Sequence, residues 1–68
     1  MSIVKVIEVL SESNKSWEDA AQTAITEAAK TLKNIKSIYM KEMSAHVEKG
    51  KITAYRVNAK VSFELDRK

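Results

Sequence analysis

The hydrophobic positions of the chain fall into four runs, three typical of strands and one with helical spacing. Residues 3–10, IVKVIEVL, are rich in β-branched residues and carry apolar side chains on both faces, which predicts a strand that is covered on both sides. Across residues 17–33 the apolar positions recur every three or four residues, which predicts a helix. Its apolar stripe is mostly alanine, so the helix can lie close to the surface on which it packs.

Capping residues mark the start of this helix. Ser16 precedes the first apolar position and Asp19 follows three residues later, a pattern related to the capping box. Glu18 and Asp19 add negative charge at the N-terminal end of the helix, where the helix dipole favours it. We therefore interpret Trp17, the only tryptophan, as a packing residue that starts the helix, and not as a platform for a ligand.

The remaining two runs predict a hairpin. Residues 35–48 and 51–65 are predicted strands that flank Lys49-Gly50, which holds the only glycine of the chain. In the second strand, apolar and polar residues alternate, so one face lies on a core. If the turn is at Lys49-Gly50, the numbers of facing residues sum to 99. The pairs expected on the core side are Ile38–Val61, Met40–Ala59 and Glu42–Val57, and those on the polar outer face are Ser37–Ser62, Tyr39–Lys60, Lys41–Asn58 and Met43–Arg56.

The predicted order is strand, helix, strand, strand, an α+β fold in a single domain spanning residues 1–68. At about 3.3 Å per residue the last strand reaches roughly 45–50 Å, whereas the helix is only about 26 Å long. The helix cannot cover the whole sheet. Either the sheet curls around the helix or other copies of the chain cover the overhang, and we expect a homo-oligomer.

Composition narrows the classes of function. The chain has 68 residues, a net charge of +3, one histidine and no cysteine, which excludes disulfides, thiol chemistry and a His/Cys zinc site within one chain. Its lysines are spread along the chain, so we expect no nucleic-acid binding. It has no apolar run of membrane-spanning length and no signal-peptide pattern, so we expect a cytoplasmic protein that does not enter membranes.

The sequence contains no motif for nucleophilic, metal-dependent or paired-carboxylate catalysis, so we expect no enzymatic activity. The glutamates of the strands and the single histidine, His46, are interpreted as solvated or ion-paired surface residues.

Four segments together resemble the dodecins, and the resemblance covers essentially the whole chain. These segments are VIEV in the first strand, SWEDAA at the helix start, GKITAYR after the turn and VSFEL in the last strand. The resemblance implies a three-stranded antiparallel sheet wrapped around one helix, and twelve copies assembled into a hollow homododecamer. It also implies a binding or storage function.

The resemblance further implies a ligand site between copies. In typical dodecins a tryptophan early in the second strand stacks on a flavin and a glutamine in the third strand bonds its polar edge. Those two positions fall on Ser37 and Arg56 here. Serine has no π-face, and arginine offers only donors, although it can grip a phosphate or a carboxylate. Arg56, Ser37 and Glu42 are the candidate ligand-binding residues. Arg56 has a second interpretation, as a bridge to a carboxylate of a neighbouring copy.

A branch of the family is similar in lacking the stacking tryptophan and in carrying a Tyr-Arg pair like Tyr55-Arg56, and that branch is linked to calcium. Two functions therefore follow from the resemblance. One is a storage shell for a flavin-like or phosphorylated ligand, with riboflavin or its mononucleotide as the candidate cofactor. The other is a calcium-binding or purely structural shell, for which the sequence assigns no metal ligands.

Overall fold

A computed structural model describes residues 3–65 of the chain. Its elements are β1 (Val4–Ser13), α1 (Trp17–Ala28), β2 (Ile35–Glu48) and β3 (Lys51–Glu64). The three strands form one antiparallel sheet in the order β1-β3-β2, which confirms the predicted β-α-β-β architecture. α1 packs on one face of the sheet, and we call the opposite face the open face. The chain measures 54 × 20 × 12 Å, so it is long and thin.

The helix begins where the capping residues predict. Ser16 has an extended backbone, and its hydroxyl accepts a hydrogen bond of 2.9 Å from the Asp19 N–H. The Asp19 carboxylate does not return to the Ser16 backbone as it would in a full capping box. It accepts a bond of 2.6 Å from the hydroxyl of Ser13, which itself accepts one of 2.9 Å from the Lys15 N–H. The turn before α1 is therefore held by side chains that the sequence marks only as turn-forming.

The helix is shorter than predicted, because it ends at Ala28 instead of at position 33. The next residues tighten into turns, in which the N–H groups of Lys30 and Thr31 bond to carbonyls three residues earlier, at 3.2 and 3.1 Å. Asn34 then adopts a positive φ of 62°, a conformation that asparagine tolerates, and redirects the chain into β2. With 12 residues, α1 is only about 18 Å long.

β1 is longer than predicted and runs to Ser13 instead of ending at Leu10. The extension is polar, but its side chains that face α1 have partners. The hydroxyl of Ser11 donates a bond of 2.7 Å to the carbonyl of Ala20 in the first turn of α1. Ser13 is held by the turn described above.

The core lies between α1 and the middle of β3. Its buried residues are Ala20, Val57, Ala59, Val61 and Phe63. Trp17 packs against this core, with its ring 4.8 Å from that of Tyr55 in an edge-to-face arrangement. Its indole N–H donates a bond of 2.9 Å to the carbonyl of Ser44. The interpretation of Trp17 as a packing residue is confirmed.

The predicted turn and four of the seven predicted strand pairs are confirmed. Lys49 and Gly50 have φ of 52° and 78°, as a two-residue hairpin turn with two left-handed residues requires. The four predicted pairs nearest the start of β2 are present. They are Ser37–Ser62, Ile38–Val61, Tyr39–Lys60 and Met40–Ala59.

The other three predicted pairs are wrong, because the ladder is interrupted. A bulge between Met40 and Glu42 leaves Lys41 as an extra residue, and the rule that pairs sum to 99 assumes one residue on each strand. The predicted pairs Lys41–Asn58, Glu42–Val57 and Met43–Arg56 are therefore replaced. The observed pairs are Glu42–Asn58, Met43–Val57 and Ser44–Arg56.

The sequence of β1 predicts that both faces of this strand are covered. Within residues 3–65, no element covers its open face. Val4, Val6 and Leu10 lie on the open face and are 52%, 56% and 73% exposed. α1 covers only one face of the sheet, over less than half the length of β3. In the part of the chain that the structure describes, no helix is long and apolar enough to span a bilayer.

Candidate functional site

The bulge in β2 places charged side chains on the open face. Because Lys41 is an extra residue, Glu42 moves from the predicted core side to the side shared with Asn58. Lys41 also reaches this face, where its ammonium lies 3.3 Å from the carboxylate of Glu8 on β1. The prediction that Glu42 faces the core is wrong, and the bulge is the reason.

A groove crosses the open face over all three strands. It has a volume of about 490 Å³ and brings together two of the three predicted ligand-binding residues, Arg56 and Glu42. Leu10 gives it an apolar wall, so it offers both charge and hydrophobic surface. Its full lining is Leu10, Glu42, Met43, Ser44, Arg56 and Asn58.

Ser37, the third predicted residue, lies outside this groove. It faces Ser62, to which its hydroxyl is hydrogen-bonded, whereas Arg56 faces Ser44. Six residues along β3 separate the two positions, or about 20 Å. Tyr39, which is 65% exposed and pairs with Lys60, is the aromatic residue of this face nearest to Ser37 in the ladder. None of the residues that line the groove is aromatic.

Arg56 already has a partner within the chain. Its guanidinium forms an ion pair with Glu12, the residue opposite it on β1, and both side chains are about half exposed. A second small groove lies beside this pair, lined by Leu10, Ser11, Glu12 and Arg56. Half-exposed pairs contribute little to stability and exchange partners readily, so Glu12 leaves Arg56 able to bind another anion.

On the open face, neighbouring side chains shift the pKa of Glu8. A hydrogen bond from Lys41 and the positive charge of that residue lower the pKa of Glu8 below its ordinary value of 4.5, and Asn58 and Lys60 contribute in the same direction. This carboxylate therefore stays ionised at neutral pH.

Asn58 carries the one unsatisfied group among the buried side-chain polar atoms of residues 3–65. Its amide oxygen is buried and has no hydrogen-bond partner there. Leaving such an acceptor unpaired costs about 1–3 kcal/mol, unless water, a ligand or another copy supplies a donor. The groove therefore contains a donor in Arg56, and acceptors in Asn58 and in the Glu42 carboxylate that faces it.

Metal ligands are sparse by comparison. Within residues 3–65, no three His, Asp or Glu side chains lie close enough together to hold a metal ion. The single histidine, His46, lies 3.5 Å from Glu48 near the hairpin turn, where both are exposed. A calcium ion requires more oxygen ligands than these residues of one copy bring together.

The family model for dodecins matches residues 3–66, nearly the whole chain. The chain belongs to the dodecin family. A curated relative, the calcium dodecin of Mycobacterium tuberculosis, is 38% identical over 66 residues, which span 96% of this chain and 92% of the relative. The resemblance inferred from the sequence is confirmed.

Solved dodecin structures agree with this fold over nearly their full length. The calcium dodecin of M. tuberculosis matches with a TM-score of 0.81 at 35% identity, over 96% of this chain and 93% of that one. An arginine-to-alanine variant of the Thermus thermophilus dodecin matches with a TM-score of 0.93 at 26% identity, over the full length of both chains. The dodecin from Streptomyces davaonensis matches with 0.90 at 26% identity, over 97% of each chain.

Two residues that adjoin Arg56 on the open face are not predicted from the sequence. Glu12 lies beyond the predicted end of β1, and the signal that could have found it is the antiparallel pairing of β1 with β3, which sets it opposite Arg56 once β1 extends to Ser13. Asn58 was placed on the correct face, but opposite the wrong residue. Neither position carries a motif of its own.

Proposed function

We propose that this dodecin assembles into a hollow shell of twelve copies that binds and stores a small molecule without transforming it. The observation that carries this proposal is the groove on the open face, which combines the Arg56 guanidinium with the apolar side chain of Leu10. The exposed apolar residues on β1 support self-assembly, because one copy leaves them in water.

The groove favours a ligand that has an apolar body and a phosphate or carboxylate group. Arginine binds such groups through two parallel hydrogen bonds, and a phosphate would replace Glu12 as the partner of Arg56. Stacking is the weaker part of the site, because Ser37 has no ring. An aromatic contact contributes about 0.5–1.5 kcal/mol, so we expect flavins to bind this shell more weakly than they bind a shell with a tryptophan there.

The first experiment titrates riboflavin and flavin mononucleotide with the purified protein and follows flavin fluorescence. We expect the parent protein to prefer the mononucleotide, because only the mononucleotide carries a phosphate for Arg56. Arg56→Gln should remove that preference, and Arg56→Lys, which keeps the charge without the fork, should keep part of it.

Ser37→Trp combined with Arg56→Gln tests the flavin half of the site. We expect this double variant to quench flavin fluorescence more strongly than the parent. Because the two positions are about 20 Å apart within one copy, the ring would come from one copy and the group that donates and accepts from a neighbouring copy. Ser37→Ala combined with Arg56→Gln is the control for the lost Ser37–Ser62 hydrogen bond. A double variant that binds flavin no better than its control would contradict the assignment of Ser37.

A calcium-binding shell is the second candidate, and the 38% identity to a calcium dodecin favours it. The ion would lie between copies, with ligands from more than one chain. Thermal unfolding in calcium, in magnesium and in a chelator separates the two candidates. A melting temperature that rises with calcium but not with magnesium supports this alternative, because a ligand that binds only the folded state raises the melting temperature.

A further inference from the structure

Beyond the Ser13–Tyr55 pair, β2 and β3 continue as a ribbon of two strands, residues 46–54, which we call the hairpin arm. β1 ends before it, and α1 begins at Trp17, whose ring lies beside Tyr55 at the base of the arm. Residues 46–53 are all exposed. A two-stranded ribbon on its own is marginally stable in water, so the arm lacks cover that the rest of the sheet has.

The end of the arm carries an apolar pair. Val47 and Ile52 face each other across the two strands and are 56% and 50% exposed. Facing residues share one face of a ribbon, so the two side chains form a single apolar projection next to the turn. Lys49 and Lys51 flank this projection with positive charge.

In the covered part of the sheet, a mainly apolar groove of about 390 Å³ runs between β1 and α1. Alanines at 24 and 28 form one wall, and their small side chains leave a recess. Glu27 is the one charged residue among those that line the groove, and its carboxylate forms an exposed ion pair of 3.0 Å with Lys30 of the same chain. The apolar walls are Ile7, Val9, Ala24, Ala28 and Leu32.

The arm cannot reach this groove within one chain. Ser11, at the end of the groove nearer the arm, faces Val57, which lies five residues from Ile52 along β3, or about 16 Å. Ile7, at the far end, faces Val61, nine residues or about 30 Å from Ile52. The apolar projection and the recess can meet only when they belong to different copies.

We propose that the hairpin arm of one copy docks in the β1–α1 groove of the next, with Val47 and Ile52 seated against Ala24, Ala28 and Leu32. The turn, Glu48-Lys49-Gly50-Lys51, carries one net positive charge and then approaches Glu27. Exposed pairs contribute little, so Glu27 can exchange Lys30 for a lysine of the neighbouring copy, and the charges of the two surfaces are complementary. The arm and the groove are different surfaces of the same chain, so the contact between copies is head-to-tail. When each copy is related to the next by the same rotation, such contacts close a ring. This inference rests on the proposed self-assembly and specifies which surfaces meet.

Engineered cysteines test the contact directly, since the chain has none of its own. Val47→Cys and Ala28→Cys are placed in one chain, which is oxidised and run on a non-reducing gel. We expect a ladder of covalent species of three or more chains. A disulfide requires Cα atoms within about 7 Å, which the separation of arm and groove within one chain forbids, so every link joins two copies.

Two controls make the result specific. Val47→Cys alone should give no links, and Val47→Cys with Thr26→Cys, on the exposed side of α1, should give no ladder. Dimers from Val47→Cys alone would mean that arm meets arm, which overturns the proposal. Absence of a ladder from an assembly of parental mass also overturns it, while the proposed shell stands.

Light scattering, which measures the mass of the assembly, tests the assembly of the shell separately from the docking of the arm. Val47→Lys should reduce the mass of the assembly, whereas His46→Lys, on the adjacent exposed position of the arm, should preserve it. A parent protein that is monomeric, instead of about twelve times the 7.7 kDa chain mass, overturns both the shell and the docking. A Val47→Lys assembly of parental mass overturns the docking alone.

Discussion

The two halves of β3 form a natural comparison, because one strand passes through two different environments. Between Tyr55 and Phe63, β3 has β1 and β2 on its two sides and α1 packs on one of its faces, where Val57, Ala59 and Val61 are fully buried. Between Lys51 and Ala54, the strand has β2 alone as a neighbour, and Ile52 is 50% exposed. Both halves contain β-branched apolar residues. The difference shows that an apolar residue of β3 is buried only where α1 and β1 cover the strand. The arm therefore requires cover from outside the chain.

The strongest way to break the covered half is to place a charge beneath the helix. Ala20 is fully buried, so Ala20→Glu puts an unpaired carboxylate in the core and leaves it no room. We expect loss of the folded state, measured as loss of cooperative unfolding by circular dichroism. Thr26→Glu, exposed on the same helix and four residues before Lys30, should unfold like the parent. A cooperative, normally stable Ala20→Glu protein would contradict the position of the core.

Trp17 joins the two halves, and its removal should have the next largest effect. Trp17→Ala loses the packing against Tyr55 and the bond to Ser44, and we expect the free energy of unfolding to fall by about 2–3 kcal/mol. Trp17→Phe keeps a ring but not the N–H donor, and should cost about 1 kcal/mol. Denaturant unfolding at one fixed protein concentration measures both. Equal losses for the two variants would mean that the hydrogen bond, and not the ring, holds this junction.

The bare half can be tested at its turn. Gly50 has a φ of 78°, and an added Cβ would meet no atom within 4 Å, so Gly50→Ala introduces backbone strain without a clash. A left-handed residue with a side chain costs roughly 1–2 kcal/mol. We expect a loss of about that size in the assembled protein. A loss near zero would show that the arm is not part of the cooperative unit, which would sharpen the contrast with the covered half.

The smallest effect is expected from the titration of Glu8 on the open face. Lys41 holds the pKa of Glu8 below 4.5, so this pair stabilises the fold above that pH and loses its effect as the pH falls through the lowered pKa. Glu8→Gln should therefore reduce the acid-side loss of melting temperature between neutral pH and about pH 3. Unchanged acid sensitivity in Glu8→Gln would mean that other carboxylates control it.

The sequence predicted those elements of the fold in which local pattern and tertiary structure agree. The alanine stripe, the Ser16 cap and the Lys49-Gly50 turn each specify a backbone geometry through the residues themselves. The end of the helix was not predictable in this way, since the helical spacing continues beyond Ala28 while the backbone tightens into turns. The predicted first strand ended too early, at residue 10, because Ser11 and Ser13 are polar. Their partners, the carbonyl of Ala20 and the carboxylate of Asp19, are visible only in three dimensions.

The candidate site was predicted less completely than the fold. Arg56 was found through the family pattern, and the sequence placed it on the correct face. The bulge at Lys41 carries no signal in the alternation of apolar and polar residues, so Glu42 was assigned to the wrong face. The partner of Arg56, Glu12, belongs to a different strand, and its position depends on how far β1 extends.

The interruptions in β2 also bear on how large an assembly can grow. β2 is an outer strand, and the register with its neighbour shifts at three places along its length, with lysines at positions 36 and 41 beside two of them. A straight, regular outer strand would invite the same strand of another molecule to add to it without limit. An irregular border with charged side chains at its interruptions discourages such endless stacking. The irregular border of the sheet therefore favours a closed particle of defined size over a fibre.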